Sequence, residues 1–368
     1  MRILMLNYEF PPLGGGAGNA TYYLLKEFSK YPELEIDLIT SSVDNFRVEK
    51  FASNITIHYL DINKRGNLHY QSNKDLLLYS FKTYFYAKKL IKGKRFDLCH
   101  AFFGIPCGYL AMKLKLPYAA SLRGSDVPFY NKRFYLLDKL IFKKLSVKVW
   151  RNAEKVIANS QGLKDLALKA NPSQRIEVIY NGIDAKEFKP DLAKKMGETI
   201  KLISVGRLIP RKGYDYLIKA LEGLSGFELT LIGDGDQKEY LEKLAKRKGV
   251  GVNFLGKIEH NLIRDYLKKA DIFILPSLNE GMPNAILEAM ASGLAIIATD
   301  TGGSAELIQG NGFVIEKGNV GQIQESLIKF LENKEQMRLM GNRSREIAEN
   351  LSWPKGASKY TEIYNELA

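Results

Sequence analysis

The chain of 368 residues is poor in cysteine, with Cys99 and Cys107 alone. Two thiols cannot build a disulfide framework or a four-thiolate zinc site, and they suit a reducing compartment. Histidine is equally scarce: His58, His69, His100 and His260 are scattered along the chain. No Asp-x-Asp stands in a suitable strand-end loop, so neither a metal nor a cofactor is expected. No apolar run approaches the roughly 18 residues of a membrane-spanning helix. The apolar stretch at residues 2–7 is too short for the core of a signal peptide. A cytoplasmic protein is expected, with a peripheral place at the inner face of the plasma membrane left open. Fixed-period repeats are absent, which excludes solenoids and propellers. What remains, 45% apolar and 26% charged residues, is the composition of a soluble globular chain, and the length suits about two domains of roughly 150 residues.

Acidic side chains are what the first half lacks. Residues 1–184 hold 28 basic against 16 acidic residues, a net +12, while residues 185–368 hold 26 against 25, a net +1. Such asymmetry points to an anionic partner for the first half, or to nothing more than a basic surface. Lys82, Lys88, Lys89, Lys92, Lys94 and Arg95 follow one another with no acidic residue between them. In segment 132–151, Phe134, Ile141, Phe142, Leu145 and Val149 share one side at about 100° per residue. Lys132, Arg133, Lys139, Lys143, Lys144, Lys148 and Arg151 spread over the other. This pattern fits an interfacial helix on anionic lipid. It equally fits a helix packed into the core with a solvated basic face.

Short apolar runs alternate with amphipathic segments throughout. Strands are expected at 2–7, 35–40, 55–60, 97–102, 117–121, 155–159 and 176–180, then at 200–205, 227–232, 252–255, 271–275, 295–298 and 312–315. Helices are expected at 18–31, 74–92, 132–151 and 161–170, then at 212–222, 236–248, 259–269, 283–292 and 319–332. Unalternated apolar strands joined by helices imply parallel, doubly wound sheets. The fold class is therefore α/β, with two Rossmann-like domains facing a deep cleft. The polar stretch 191–198 is the expected linker. In such sheets the loops after strands carry the chemistry.

Four of those loops are unusual. Residues 11–18 hold Gly14, Gly15, Gly16 and Gly18 and open a helix, which suits either an anion site or a flexible turn. Gly206, Arg207, Lys212 and Gly213 follow the strand at 200–205, where two cations suit a diphosphate. Residues 231–236 form a tight turn in which Asp236 is expected to cap the next helix. Residues 275–293 carry Glu280 and Glu288 around Gly281, Met282, Pro283 and Asn284. Pro283 suits the first helical position and Gly293 the one after the last. Each glutamate is expected either to bind hydroxyls or to pair with nearby cations.

These residues resemble the retaining, GT-B-fold glycosyltransferases of family 4. Glu280 and Glu288 match the family's paired-glutamate signature, and Arg207 with Lys212-Gly213 matches its basic segment. Residues 302–307 match its following Gly-Gly loop, and residues 181–184 its interdomain Asn-Gly-Ile-Asp. The resemblance implies a GT-B fold with a domain at 1–190 on the acceptor side, one at 199–352 for the donor, and a terminal helix at 353–368 crossing back to the first.

It also implies a nucleoside-diphosphate sugar of UDP, GDP or ADP type. Arg207 and Lys212 would hold the diphosphate, Gly15 and Gly16 would close over it, and Gly206 would lie beside it. Glu280 and the backbone near Met282, Pro283 and Asn284 would hold the sugar. Glu288 would bind the ribose, and the backbone at Lys257 and Ile258 would meet the base. The acceptor would be a glycan or a lipid-linked molecule of the cell envelope. Arg123, in Ser121-Leu122-Arg123-Gly124-Ser125-Asp126, replaces the histidine of many relatives and would bind an anionic group or pair with Asp126. His100 would line the cleft or be a structural histidine. The reaction would retain configuration without a metal. Two other classes stay open: a GT-B epimerase or phosphorylase, and a non-catalytic nucleic-acid-binding protein. The latter leaves the cleft motifs unexplained, so no nucleic-acid partner is expected.

Overall fold

The computed structural model describes residues 1–64, 68, 71–130, 141–191, 193–194 and 197–368. Its chain divides into two compact units, Met1–Asn181 with Trp353–Ala368, and Gly182–Ser352. Residues 182–190, which the sequence reading places with the first domain, fall in the second unit. There the Ile183 N–H donates to the Leu351 carbonyl at 2.7 Å, and Ile183 bridges Ser352.

The first unit is built on β1 (Arg2–Leu6), β2 (Glu35–Ser42), β3 (Arg47–Ala52), β4 (Ile55–Asp61), β5 (Leu98–Phe102), β6 (Tyr118–Leu122), β7 (Lys155–Ala158) and β8 (Glu177–Val178). They lie in the order β3-β4-β2-β1-β5-β6-β7-β8. All pairs are parallel except β3 with β4. The strand β3 is absent from the sequence reading. Its residues are largely exposed and charged, as befits a protected edge rather than a buried strand. Strands β1, β5 and β6 are covered on both faces and are apolar almost throughout.

Around this sheet pack α1 (Gly16–Phe28), α2 (Asn73–Gly93), α3 (Tyr109–Leu114), α4 (Lys143–Arg151) and α5 (Gln161–Ala170). Ser72 caps α2 through a reciprocal capping box with Asp75. Residues 132–140 of the basic segment lie outside the described residues. In α4 the apolar side is used by the core, since Val149 and Trp150 are fully buried, while Ile141 and Phe142 just before it are exposed.

The second unit holds β9 (Ile200–Val205), β10 (Phe227–Ile232), β11 (Val252–Gly256), β12 (Ile272–Leu275), β13 (Ala295–Thr299) and β14 (Gly312–Ile315). Their order is β11-β10-β9-β12-β13-β14, all parallel. Its helices are α6 (Tyr214–Ala220), α7 (Lys238–Lys248), α8 (His260–Leu267), α9 (Asn284–Ala291), α10 (Val320–Glu332) and α11 (Lys334–Asn350). Gln237, not Asp236, occupies the N-cap of α7, and no side chain caps it. Pro283 stands one place before its expected position, at the N-cap of α9. Finally α12 (Trp353–Leu367) packs on the first unit, where Trp353 stacks on Tyr23 with ring centroids 5.5 Å apart.

Candidate functional site

In each sheet the strand order reverses once, between β1 and β5 in the first unit and between β9 and β12 in the second. Ligands of open α/β sheets bind outside the carboxyl ends of the strands at such reversals. Of the unusual loops of the second unit, those carrying the cations and the glutamates leave from β9 and β12.

After β9, the chain turns through Gly206 and Arg207 into a short 3₁₀ turn, Pro210–Lys212. A Cβ on Gly206 would lie 2.8 Å from the Tyr214 hydroxyl oxygen, so only glycine lets this turn close over that side chain. Arg207 is half-buried. After β12 comes Glu280, which is buried. The Lys212 ammonium donates to its Oε1 at 2.6 Å, and the Arg211 guanidinium stands 4.0 Å from Oε2. Arg211 also donates to the Asn279 carbonyl at 2.8 Å, tying the two loops together. Burial works to raise the Glu280 carboxyl, but the charges of Lys212 and Arg211 outweigh it and hold the pKa below the ordinary value. Lys212 is mostly buried, with 12% of its side chain accessible.

The loop of Glu280 is braced from behind. Gly302 has φ +47°, and a Cβ there would meet the Glu280 carbonyl oxygen at 2.0 Å. Gly303 donates its N–H to the Gly281 carbonyl at 2.6 Å. The close approach is the physical reason for glycine at position 302. Met282 and Pro283 are buried beside it, and Asn284 opens α9. One face of α9 presents Glu288, whose Oε1 meets His260 Nε2 at 2.8 Å. Burial opposes protonation of His260, yet the hydrogen bond to Glu288 prevails and raises its pKa. The contact brings the loop of Lys257 and Ile258, just before α8, beside Glu288; Lys257 is exposed and Ile258 half-buried. His260 and Arg211 escape the sequence reading. Arg211 neighbours Lys212, which was a usable signal; the His260 contact joins positions 28 residues apart and leaves none.

In the first unit, Gly15 and Gly16 are exposed at the start of α1. No side chain caps that helix, and no acidic residue lies in its first turn. The Gly15 N–H donates to Glu9 Oε2 at 3.2 Å. Asp126 is buried and accepts three backbone N–H groups: Gly104 at 2.7 Å, Arg123 at 2.9 Å and Gly124 at 2.9 Å. Burial nevertheless raises its pKa. Asp126 therefore clamps the loops after β5 and β6, and it takes the backbone of Arg123 rather than its guanidinium.

That guanidinium is buried among neutral groups. It donates to Asn181 Oδ1 at 3.0 Å and to the Tyr360 hydroxyl at 3.5 Å, and it lies 4.8 Å from the Phe102 ring centroid. His100 is not part of any opening. It is fully buried, with Nδ1 on the Tyr364 hydroxyl at 2.6 Å and Nε2 on Ser121 Oγ at 2.8 Å. Burial, helped by the Arg123 charge, pushes its pKa down to about 3. It is a neutral structural histidine. Among the described residues no group of three or more His, Cys, Asp and Glu is placed to hold a metal ion.

Two family models cover most of the chain: "Glycosyl transferases group 1" matches residues 184–347, and "Glycosyltransferase Family 4" matches residues 14–187. An uncharacterized glycosyltransferase of Methanocaldococcus jannaschii is 26% identical over 100% of this chain and 99% of its own. Among solved structures, sucrose-phosphate synthase from Thermosynechococcus elongatus superposes with a TM-score of 0.87 at 20% identity, covering 100% of this chain and 99% of that one. Anabaena HepE in complex with UDP-glucose gives a TM-score of 0.75 at 21% identity, covering 100% of both chains.

Proposed function

Since the chain belongs to the GT-B-fold glycosyltransferases of family 4 and is a glycosyltransferase, we propose that it moves a sugar from a nucleoside-diphosphate sugar to a hydroxyl acceptor with retention. The observation that carries the donor reading is the set of cations after β9 facing the carboxylate after β12. Breaking the bond to the anomeric carbon builds negative charge on the leaving diphosphate and positive charge on the sugar. Arg207 and Lys212 stabilise the first, as preorganised cations do best where water is scarce. Glu280, kept ionised by Lys212 and Arg211, positions the sugar and offsets the second charge. Glu288, with His260 fixing one oxygen, keeps its other oxygen for the ribose hydroxyls. The backbone of Lys257 and Ile258 serves the base, and that of Met282, Pro283 and Asn284 the sugar. Gly15 and Gly16 are the first unit's candidates for the donor phosphates. The HepE complex with UDP-glucose supports a nucleotide-sugar donor.

With two cations on the leaving group, the reaction runs without a divalent ion, and the departing phosphate itself accepts the acceptor's proton. On the acceptor side, the partners of the Arg123 guanidinium among the described residues, Asn181, Tyr360 and the Phe102 ring, are neutral. This favours an anionic group on the sugar or the acceptor, within glycan or glycolipid synthesis of the cell envelope. The test is turnover with UDP-, GDP- and ADP-sugars, with and without chelator. Transfer by one donor class, unchanged by chelator and lost in Arg207→Ala, is expected. Donor turnover that needs no acceptor would favour an epimerase, and phosphate-dependent cleavage a phosphorylase.

A further inference from the structure

In the described part of segment 132–151 the core takes Val149 while Ile141 and Phe142 stay exposed, and residues 132–140 lie outside the described residues, so that segment presents no fully described docking face. The helix α2 offers one. At 100° per residue, Lys74, Leu77, Phe81, Phe85, Lys88 and Lys92 fall within about an 80° arc. The buried Tyr79, Thr83 and Ala87 lie on the opposite side. Leu77, Phe81 and Phe85 are 72%, 64% and 56% exposed. Solvated helices do not ordinarily show three large apolar side chains in a row to water. The rings of Phe81 and Phe85 meet edge to face at 4.8 Å, which makes them one wedge rather than two loose side chains. Phe46, just before β3, is 52% exposed and contacts Tyr86 of α2 at 5.5 Å, so the apolar area continues past the helix.

Lysines surround this wedge. Lys74 stands before it, Lys88, Lys89 and Lys92 after it, and all four are exposed. None has a carboxylate within ion-pair distance among the described residues. Asp75, the one acidic residue of α2, is held by the helix cap and by Lys64 at 2.7 Å. Lys82 at the flank hydrogen-bonds the Asp61 carbonyl and is only partly available. A second copy of the chain would set lysine against lysine, so this face does not suit self-association. An apolar wedge with lysines at both ends suits a surface that is apolar beneath and anionic on top.

We propose that the outward face of α2 docks on an anionic lipid bilayer, with Leu77, Phe81 and Phe85 entering the headgroup boundary and Lys74, Lys88, Lys89 and Lys92 meeting lipid phosphates. This extends the acceptor reading toward a lipid-linked molecule, but the contact itself does not depend on donor chemistry.

The test is sedimentation of the full chain with vesicles of phosphatidylcholine, alone or mixed in equal parts with phosphatidylglycerol. Wild type is expected to bind the anionic vesicles, less so as salt rises. Leu77→Ser/Phe81→Ser/Phe85→Ser and Lys88→Glu/Lys89→Glu/Lys92→Glu should each bind at least about tenfold more weakly. Both sets of residues are exposed, so circular dichroism and the thermal shift given by a nucleoside diphosphate should match wild type. That shift also separates failure of this surface from failure of the donor reading. The proposal is overturned if wild type ignores anionic vesicles, if the serine variant binds them equally, or if the same residues instead capture a single-stranded oligonucleotide in preference to lipid.

Discussion

Lys212 answers two demands with one ammonium. It neutralises Glu280 at 2.6 Å, and the donor reading also gives it a phosphate. Removing it should therefore cost stability as well as turnover. Lys212→Ala strands a buried carboxylate and is expected to lower unfolding free energy by about 3–5 kcal/mol. Lys212→Met with Glu280→Gln should recover much of that without recovering activity; urea denaturation of both variants checks this. Arg207 is half-buried, so Arg207→Ala should leave stability nearly unchanged and slow turnover by about 10²–10³-fold. A different test lies in pH. The folded pKa of His260 is raised above 6.5 by its bond to Glu288. The group's stabilising effect is then complete below that ordinary value and fades as pH rises through the folded one. Melting curves of wild type and His260→Gln should differ most on the acid side of 6.5 and converge on the alkaline side; a gap that widens with pH would contradict the pairing. The sequence exposes Arg207, Lys212, Glu280 and Glu288 as unusual residues in strand-end loops. It does not expose their partners, because Lys212 and Glu280 meet across 68 residues and only the sheet order brings them together.

Elements place these residues through a few points of close approach. The Gly302 turn lies against the backbone of Glu280 so tightly that Gly302→Ala must shift one or the other. With φ at +47° the alanine is also strained. A loss of about 1–3 kcal/mol is expected, with the donor sugar's KM rising before the nucleotide's affinity changes; unaltered melting and kinetics would remove the brace from the account. In the first unit, Tyr364 of α12 completes the shell of His100, so Tyr364→Phe leaves a buried ring nitrogen unpaired, at about 1–3 kcal/mol in chemical denaturation. Which elements the sequence reveals follows from burial. Strands β9, β10 and β14 stand at the expected positions because apolar runs bounded by polar loops mark them. Strand β3 is hidden by its exposed charges, and α11 by a face so polar that few apolar positions repeat. The α7 cap fails for a local reason: the turn at Gly235 extends one residue further than the Asp236 cap requires, and the Asp234 carboxylate accepts from the Gly235 N–H instead.

At the scale of the molecule, each unit has its own apolar core. One gathers around β1, β5 and β6 with Trp353, Tyr360 and Tyr364, the other around β9, β12 and β13. The charge is just as unevenly divided, +12 in residues 1–184 against +1 in the rest, out of a total of +13. None of the described helices is long and apolar enough to cross a membrane. In the proposed reaction this family 4 chain holds a nucleoside diphosphate on Arg207 and Lys212. The most direct measurement is the thermal shift of wild type and Arg207→Ala with UDP, GDP and ADP in the presence of chelator. A nucleotide at about 100 times its Kd should stabilise the native state by about 2.7 kcal/mol. One of the three is expected to raise the melting temperature of wild type and to have little effect on Arg207→Ala at the same concentration. No shift with any of them, or an equal shift in the variant, would contradict it.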